Sequence, residues 1–128
     1  MAWILDADKP IYAQLVEIIQ MQIVSGQYKA GDKFPSVRDL AAEASVNPNT
    51  MQKALAELER NGLITTQRTS GRTVTEDNEM IQKVRTQLAD EYIRNFFRMM
   101  QKLGYSAEEI LSLIKQATEE GNQYGSIG

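Results

Sequence analysis

Asn49, Thr50, Gln52 and Lys53 cluster on one side of a helical repeat whose other side is made by Met51, Ala54, Leu55 and Leu58. Side chains of these types share one chemistry when they occupy the first turns of a helix. Asn and Gln can pair bidentately with adenine, Thr can meet a thymine methyl or a phosphate, and Lys can reach a guanine or the nucleic-acid backbone. The amino end of a helix adds unpaired N–H groups and a partial positive charge that suit phosphate. A solvated surface or a protein-docking surface would look the same on these residues alone, so the neighbouring elements decide.

Those elements are short and well punctuated. Asn47 is a good N-cap, Pro48 fits the first helical position because its missing N–H would be unpaired there, and Gly62 suits a left-handed C-cap. Upstream, Ser36 with Asp39 makes a capping-box-like start for a helix whose buried face is Val37, Leu40, Ala41 and Ala44. Two short helices joined so tightly read as a helix-turn-helix. Downstream, Leu63 to Val74 places β-branched residues on both sides of a Ser70-Gly71 turn, the pattern of a hairpin. A hairpin after a recognition helix is a wing, and its tip is expected to carry Arg68 and Arg72 toward phosphates or the minor groove.

The ends of the chain are helical. Pro10 opens a first helix with Ile11, Leu15, Ile18, Ile19 and Ile23 apolar, ending at Gly26, and its expected role is scaffold. From Asn78 to Leu103 an apolar stripe of Ile81, Val84, Leu88, Tyr92, Phe96, Met99 and Leu103 recurs at three- and four-residue steps over about seven turns. Gly104 stops it, and Ser106 with Glu109 forms a capping box for a last helix bearing Ile110, Leu111, Leu113, Ile114 and Ala117. The short helix cannot cover the stripe of the long one. A second copy of the chain is the natural partner, giving a homodimer whose interface would use Ile81, Val84, Leu88, Tyr92, Phe96, Met99, Leu103, Ile110 and Ile114. Phe96, Phe97, Met99 and Met100 could instead line an effector pocket, but aromatics and methionines at helical spacing more often form core or interface.

With these residues in hand, the chain resembles the GntR family of bacterial transcription regulators, in its small YtrA-like branch. The resemblance rests on Pro10-Ile11-Tyr12 with Gln14, Ile23-Val24-Ser25-Gly26, Gly31-Asp32-Lys33-Phe34-Pro35-Ser36-Val37-Arg38, Leu40-Ala41, Val46-Asn47-Pro48-Asn49-Thr50, Ala54, Glu57-Leu58-Glu59 and Gly62-Leu63-Ile64. It implies a winged helix-turn-helix that binds operator DNA as a homodimer, with Arg38 contacting DNA from the helix before the turn. Asn49, Thr50 and Gln52 would lie on the recognition helix, and Arg68 and its neighbours on the wing. The candidate DNA-binding set is Ser36, Arg38, Asn47, Asn49, Thr50, Gln52, Lys53, Arg68, Thr69, Ser70, Gly71 and Arg72. The wing departs from the family's usual Gly-Thr-Phe-Val, having Gly71-Arg72-Thr73-Val74 instead. The branch further implies repression of operons for ABC-type transporters.

The expected fold class is mainly α with a small β-hairpin. Residues 1–76 form the winged helix-turn-helix, 77–120 a two-helix dimerisation arm and 121–128 a flexible tail that frays. The 128 residues contain no cysteine and no histidine, which excludes a disulfide framework and a thiolate metal site. With no Gly-rich phosphate loop and no nucleophile beside an evident base, an enzyme is not expected, and no cofactor is implied. No apolar run is long enough to span a bilayer, and Asp6 and Asp8 interrupt the apolar start, so a cytoplasmic protein without a membrane partner is expected.

A net charge of −3 argues against DNA binding until its distribution is considered. No acid occurs from Ala44 to Ala56 or from Arg60 to Thr75, where Lys53, Arg60, Arg68 and Arg72 lie. Acids collect instead at Glu57 and Glu59 and beyond Thr75. Salt screens such distant charge beyond about 8–10 Å, so a locally basic face can still attract phosphate. The alternative function is a winged helix that docks protein rather than DNA, which a weak salt dependence would reveal.

Overall fold

The computed structural model describes residues 3–69 and 71–120, so Ser70 and the expected tail at 121–128 lie outside the described residues. Helix α1 spans Ile11–Val24 and buries Leu15, Ile19, Gln22 and Ile23. Pro10 precedes it without a side-chain cap. The Gln14 amide instead folds back on the preceding segment, accepting from Asp6 N at 2.7 Å and donating to Asp6 O at 2.8 Å.

Helix α2, Val37–Ala44, starts where Ser36 Oγ accepts from Asp39 N at 3.1 Å. It ends at Ser45, which takes the left-handed conformation with φ 57 and ψ 47. Three residues later α3 begins, spanning Pro48–Arg60, with Asn47 Oδ1 accepting from Asn49 N at 2.7 Å. Leu40, Ala41, Met51, Ala54, Leu55 and Leu58 are at most 2% exposed, and α3 packs against both α1 and α2. Gly62, at φ +87, lets the chain reverse so that Leu63 N donates to Leu58 O at 3.1 Å. A side chain there would incur the left-handed penalty.

The reversal delivers the chain into β1, Ile64–Gln67, which pairs antiparallel with β2, Gly71–Val74. Thr66 lies opposite Arg72, and Gln67 opposite Gly71. The outer edge of β2 is held by the segment before α2. Gly31 N donates to Val74 O, Val74 N to Asp32 O and Phe34 N to Arg72 O, at 3.0, 2.8 and 2.8 Å. Lys33 thereby bridges Thr73. Ile64 and Val74 turn inward at 1% and 0% exposure, which seats the hairpin on the core.

Helix α4, Asn78–Lys102, starts where Asp77 Oδ1 accepts from Glu79 N and Met80 N, both at 3.1 Å. Helix α5, Ala107–Glu120, opens with a reciprocal box: Glu109 N donates to Ser106 Oγ at 3.2 Å and Ser106 N to Glu109 Oε1 at 2.9 Å. The chain forms two compact units that divide between Thr86 and Gln87, inside α4. That division falls beyond the 76/77 boundary expected from sequence, because the first turns of α4 belong to the winged unit. Ile81 and Val84 are buried to 8% exposure, and Met80 Cε lies 3.6 Å from where a Cβ on Gly62 would stand.

Candidate nucleic-acid interface

Capping chemistry aims the first turn of α3 outward. Asn47 takes one free N–H of the helix, Pro48 removes the need for another, and the apolar positions face α1 and α2. Asn49, Gln52 and Lys53 are left exposed and Thr50 half-buried. No hydrogen bond or ion pair within the described residues engages the side chains of Asn49 and Gln52. The ammonium of Lys53 is engaged, standing 3.9 Å from the Tyr12 ring centroid. Pro10, with Ile11 and Tyr12 at the start of α1, meets Asn49, Thr50 and Lys53 around an open groove of about 330 Å³.

The capping residues Ser36 and Asn47 are expected from sequence to touch DNA, and both oxygens are already used. Each accepts a backbone N–H of its own helix, leaving only the Ser36 hydroxyl proton and the Asn47 amide N–H groups for an outside acceptor. Arg38, on the exposed side of α2, has no ion-pair partner among the described residues. The same holds for Arg68, which follows β1 into the turn beside exposed Thr69.

Arg72 departs from its expected place. It does not crown the tip, because Gly71 already begins β2 and puts Arg72 into the ladder opposite Thr66. Its Nε donates to Glu59 Oε1 at 2.5 Å, and its side chain is only 21% exposed. Thr66 Oγ1 donates to the same oxygen at 2.8 Å. Burial alone would raise the Glu59 carboxyl; the hydrogen bonds from Arg72 and Thr66 and the Arg72 charge outweigh it and hold the group below the usual carboxylate range. Arg60 is likewise engaged, by Glu57. The exposed cations of the winged unit without an ion-pair partner among the described residues include Arg38, Arg68, Lys53 and a residue that sequence reading passes over, Lys33. Its exposed side chain leaves the strand-like segment beside β2, in a groove of about 310 Å³ with Ser36, Thr66, Gly71 and Arg72. Only the long-range pairing of residues 31–34 with β2 brings it there, and no local pattern announces that pairing.

The apolar stripe of the last two helices divides in two. Ile81, Val84, Leu88 and Ile110 are expected from sequence at a dimer interface, yet all four are buried in this chain by itself, at 8%, 8%, 8% and 0% exposure. Tyr92, Phe96, Met99, Leu103 and Ile114 stay exposed between 37% and 73%, joined by Ile93 and Leu111. Among the described residues no group of acids could hold a metal ion, and no helix is long and apolar enough to cross a membrane.

Two short helices set at a tight turn, with a hairpin seated on the second, make a winged helix-turn-helix. The chain belongs to the gntR family of bacterial regulatory proteins, whose pattern matches residues 11–74. It is similar to the HTH-type transcriptional regulator YhcF of Bacillus subtilis (strain 168), with 38% identity over 115 residues, 90% of this chain and 95% of that relative. The HTH-type transcriptional repressor YtrA of the same organism is 46% identical over 68 residues, 53% of this chain and 52% of YtrA. A solved GntR family transcriptional regulator from Listeria monocytogenes superimposes with a TM-score of 0.82 and 44% identity, covering 88% of this chain and 98% of that one. The DNA-binding domain of AraR in complex with operator ORX1 superimposes with a TM-score of 0.50 and 29% identity over 56% of this chain and 87% of that one. The protein is thus a YtrA-like transcriptional regulator with a DNA-binding domain, and its relatives are regulators rather than enzymes.

Proposed function

We propose that the protein is a homodimeric repressor that places two copies of α3 in successive major grooves of a pseudo-palindromic operator. The winged unit reads DNA, and the helices beyond Thr86 supply the pairing. The observation that carries this reading is that Asn49 and Gln52 at the start of α3, together with Arg38 and Arg68, are exposed and have no side-chain hydrogen-bond or ion-pair partner among the described residues. Asn49 and Gln52 address base edges, while Arg38, Arg68, Lys53 and Lys33 address phosphates. The exposed set Tyr92, Phe96, Met99, Leu103 and Ile114 faces a second copy, and half-sites lie about 34–36 Å apart or a small multiple of that. Repression is supported by the similarity to the repressor YtrA. Control of a transporter operon rests on the branch resemblance alone.

The test is fluorescence anisotropy with a labelled duplex from the region upstream of the protein's own coding sequence, titrated at two salt concentrations against scrambled competitor. Tight, competitor-resistant and salt-steep binding is expected. Binding that ignores both sequence and salt would transfer the polar face of α3 to protein docking.

A further inference from the structure

Thr66 and Arg72 sit directly opposite one another on the two strands, and both reach the same atom of α3. Thr66 Oγ1 and Arg72 Nε donate to Glu59 Oε1 at 2.8 and 2.5 Å. One carboxylate oxygen thus collects a donor from each strand of the hairpin. On the other side, at the same level, Phe34 N donates to Arg72 O at 2.8 Å. The hairpin is gripped from two sides at the Thr66–Arg72 rung, and the exposed residues Arg68 and Thr69 extend beyond that grip. The backbone grip comes from the loop before α2, and Glu59 supplies a polar side-chain tie between both strands of the wing and the helix proposed to read bases.

We propose that Glu59 is a positioning residue for DNA binding: its carboxylate fixes the hairpin against α3 so that Arg68 meets the same duplex that Asn49 and Gln52 address, with Arg72 as the strut. This rests on the DNA-reading assignment above. The pair is partly shielded, with side-chain exposures of 21% for Arg72 and 31% for Glu59, and the depressed carboxyl of Glu59 keeps it charged wherever the protein would meet DNA. The inference makes a prediction against simple electrostatics. An acid near a phosphate-binding face repels DNA, so its removal on charge grounds alone tightens binding. A strut without its anchor weakens it.

The experiment compares the parent protein with Glu59→Gln, Glu59→Ala, Arg68→Ala and the double variant Glu59→Ala/Arg68→Ala. The probes are the labelled upstream duplex and, at low salt, a labelled random-sequence duplex. Glu59→Ala is expected to bind about tenfold more weakly, in the range of side chains that act as a unit. Glu59→Gln, which keeps the acceptor oxygen without the charge, falls between it and the parent. In the Arg68→Ala background the Glu59→Ala change costs less than about twofold, because both act through the wing tip. Hydrogen exchange without DNA supplies the second arm: the hairpin amides exchange faster in Glu59→Ala, while amides of the cores of α1 and α3 keep their protection. Unchanged or tighter binding by Glu59→Ala, multiplicative losses in the double variant, or unaltered hairpin exchange would each overturn the proposal. A parent protein that binds neither duplex would defeat the DNA-reading assignment instead, and hairpin exchange would still decide whether Glu59 holds the wing.

Discussion

The Lys53 ammonium stands 3.9 Å from the centroid of the Tyr12 ring, tying the exposed side of α3 to the start of α1. A cation over an aromatic face at an exposed site contributes about 0.5–1 kcal/mol. Lys53→Ala and Tyr12→Leu are expected to show a coupling of about that size in a denaturant-unfolding double-mutant cycle. Strict additivity would mean that the ring does not hold the lysine. DNA affinity should fall in both variants without a change in base preference, since a tethered lysine addresses backbone rather than a base edge.

Asn49 and Gln52 have side-chain amides that no hydrogen bond among the described residues engages, which leaves them available to discriminate bases. Asn49→Ala and Gln52→Ala are each expected to lose about 1–3 kcal/mol of preference for operator over scrambled duplex. Competition titrations measure the ratio. Equal losses on both duplexes would remove these residues from base reading.

Arg38, Arg68 and Arg72 should separate in their response to salt. Arg38→Ala and Arg68→Ala are expected to lower the slope of log affinity against log salt by about 0.9 for each phosphate left without its cation. Arg72→Ala should weaken binding with the slope retained, because its charge is already paired with Glu59. A slope reduced by Arg72→Ala to the same extent would return it to the phosphate set.

Acid stability carries the signature of Glu59. A carboxyl whose folded pKa lies below its unfolded value stabilises the protein fully above the unfolded value, and that contribution is lost as pH falls through the folded one. The gap in denaturation midpoint between parent and Glu59→Gln should therefore shrink as pH falls through and below the ordinary carboxylate range. Glu109 is depressed as well, through the backbone N–H of Ser106 and then its hydroxyl, and contributes in the same direction. Its contribution cancels in the comparison because both proteins keep it. A gap that widens on acidification would contradict the depressed value.

Phe96→Glu and Met99→Glu alter side chains that are 40% and 58% exposed. Each is expected to weaken self-association by about 2 kcal/mol or more, visible as a shift to monomer in sedimentation velocity, with melting of the single chain little changed. Ile81→Ala, at an 8% exposed position, should instead cost about 2–5 kcal/mol of folding stability. Unaltered sedimentation in both glutamate variants would move the pairing surface elsewhere.

What the sequence makes legible is local. Asn47 and Pro48 start α3, Gly62 releases the chain from it, and Ser106 with Glu109 starts α5, because caps and left-handed residues act within a few positions of themselves. Distant relationships are hidden. Arg72 lies 13 residues from Glu59, and their pairing depends on hairpin register and on how the hairpin seats against α3. Centring the turn on Ser70-Gly71 places Arg72 too close to the tip. Lys33 comes beside Thr66 and Arg72 only because a turn at Gly31 lays residues 31–34 along β2. The stripe on α4 is visible as a stripe, but periodicity states which side is apolar and not what covers it. Ile81 and Val84 are buried in the single chain, whereas Phe96 and Met99 remain on the surface. The capping residues show the same limit: Ser36 and Asn47 are readable both as caps and as groups that touch DNA, and capping engages their oxygens first.

The alignment of residues 31–34 along β2 has a consequence for how the protein behaves when crowded with its own kind. A bare two-stranded ribbon offers two rows of unpaired backbone groups to any neighbouring chain, a template for runaway strand addition. Here the row on β2 is already occupied by Gly31, Asp32 and Phe34, and the remaining edge is the four-residue β1, three of whose side chains, Thr65, Thr66 and Gln67, are polar and exposed. So short and hydrophilic a margin gives an incoming strand little to grip. Copies of the protein brought close together therefore find little in the wing from which to seed fibrous aggregates.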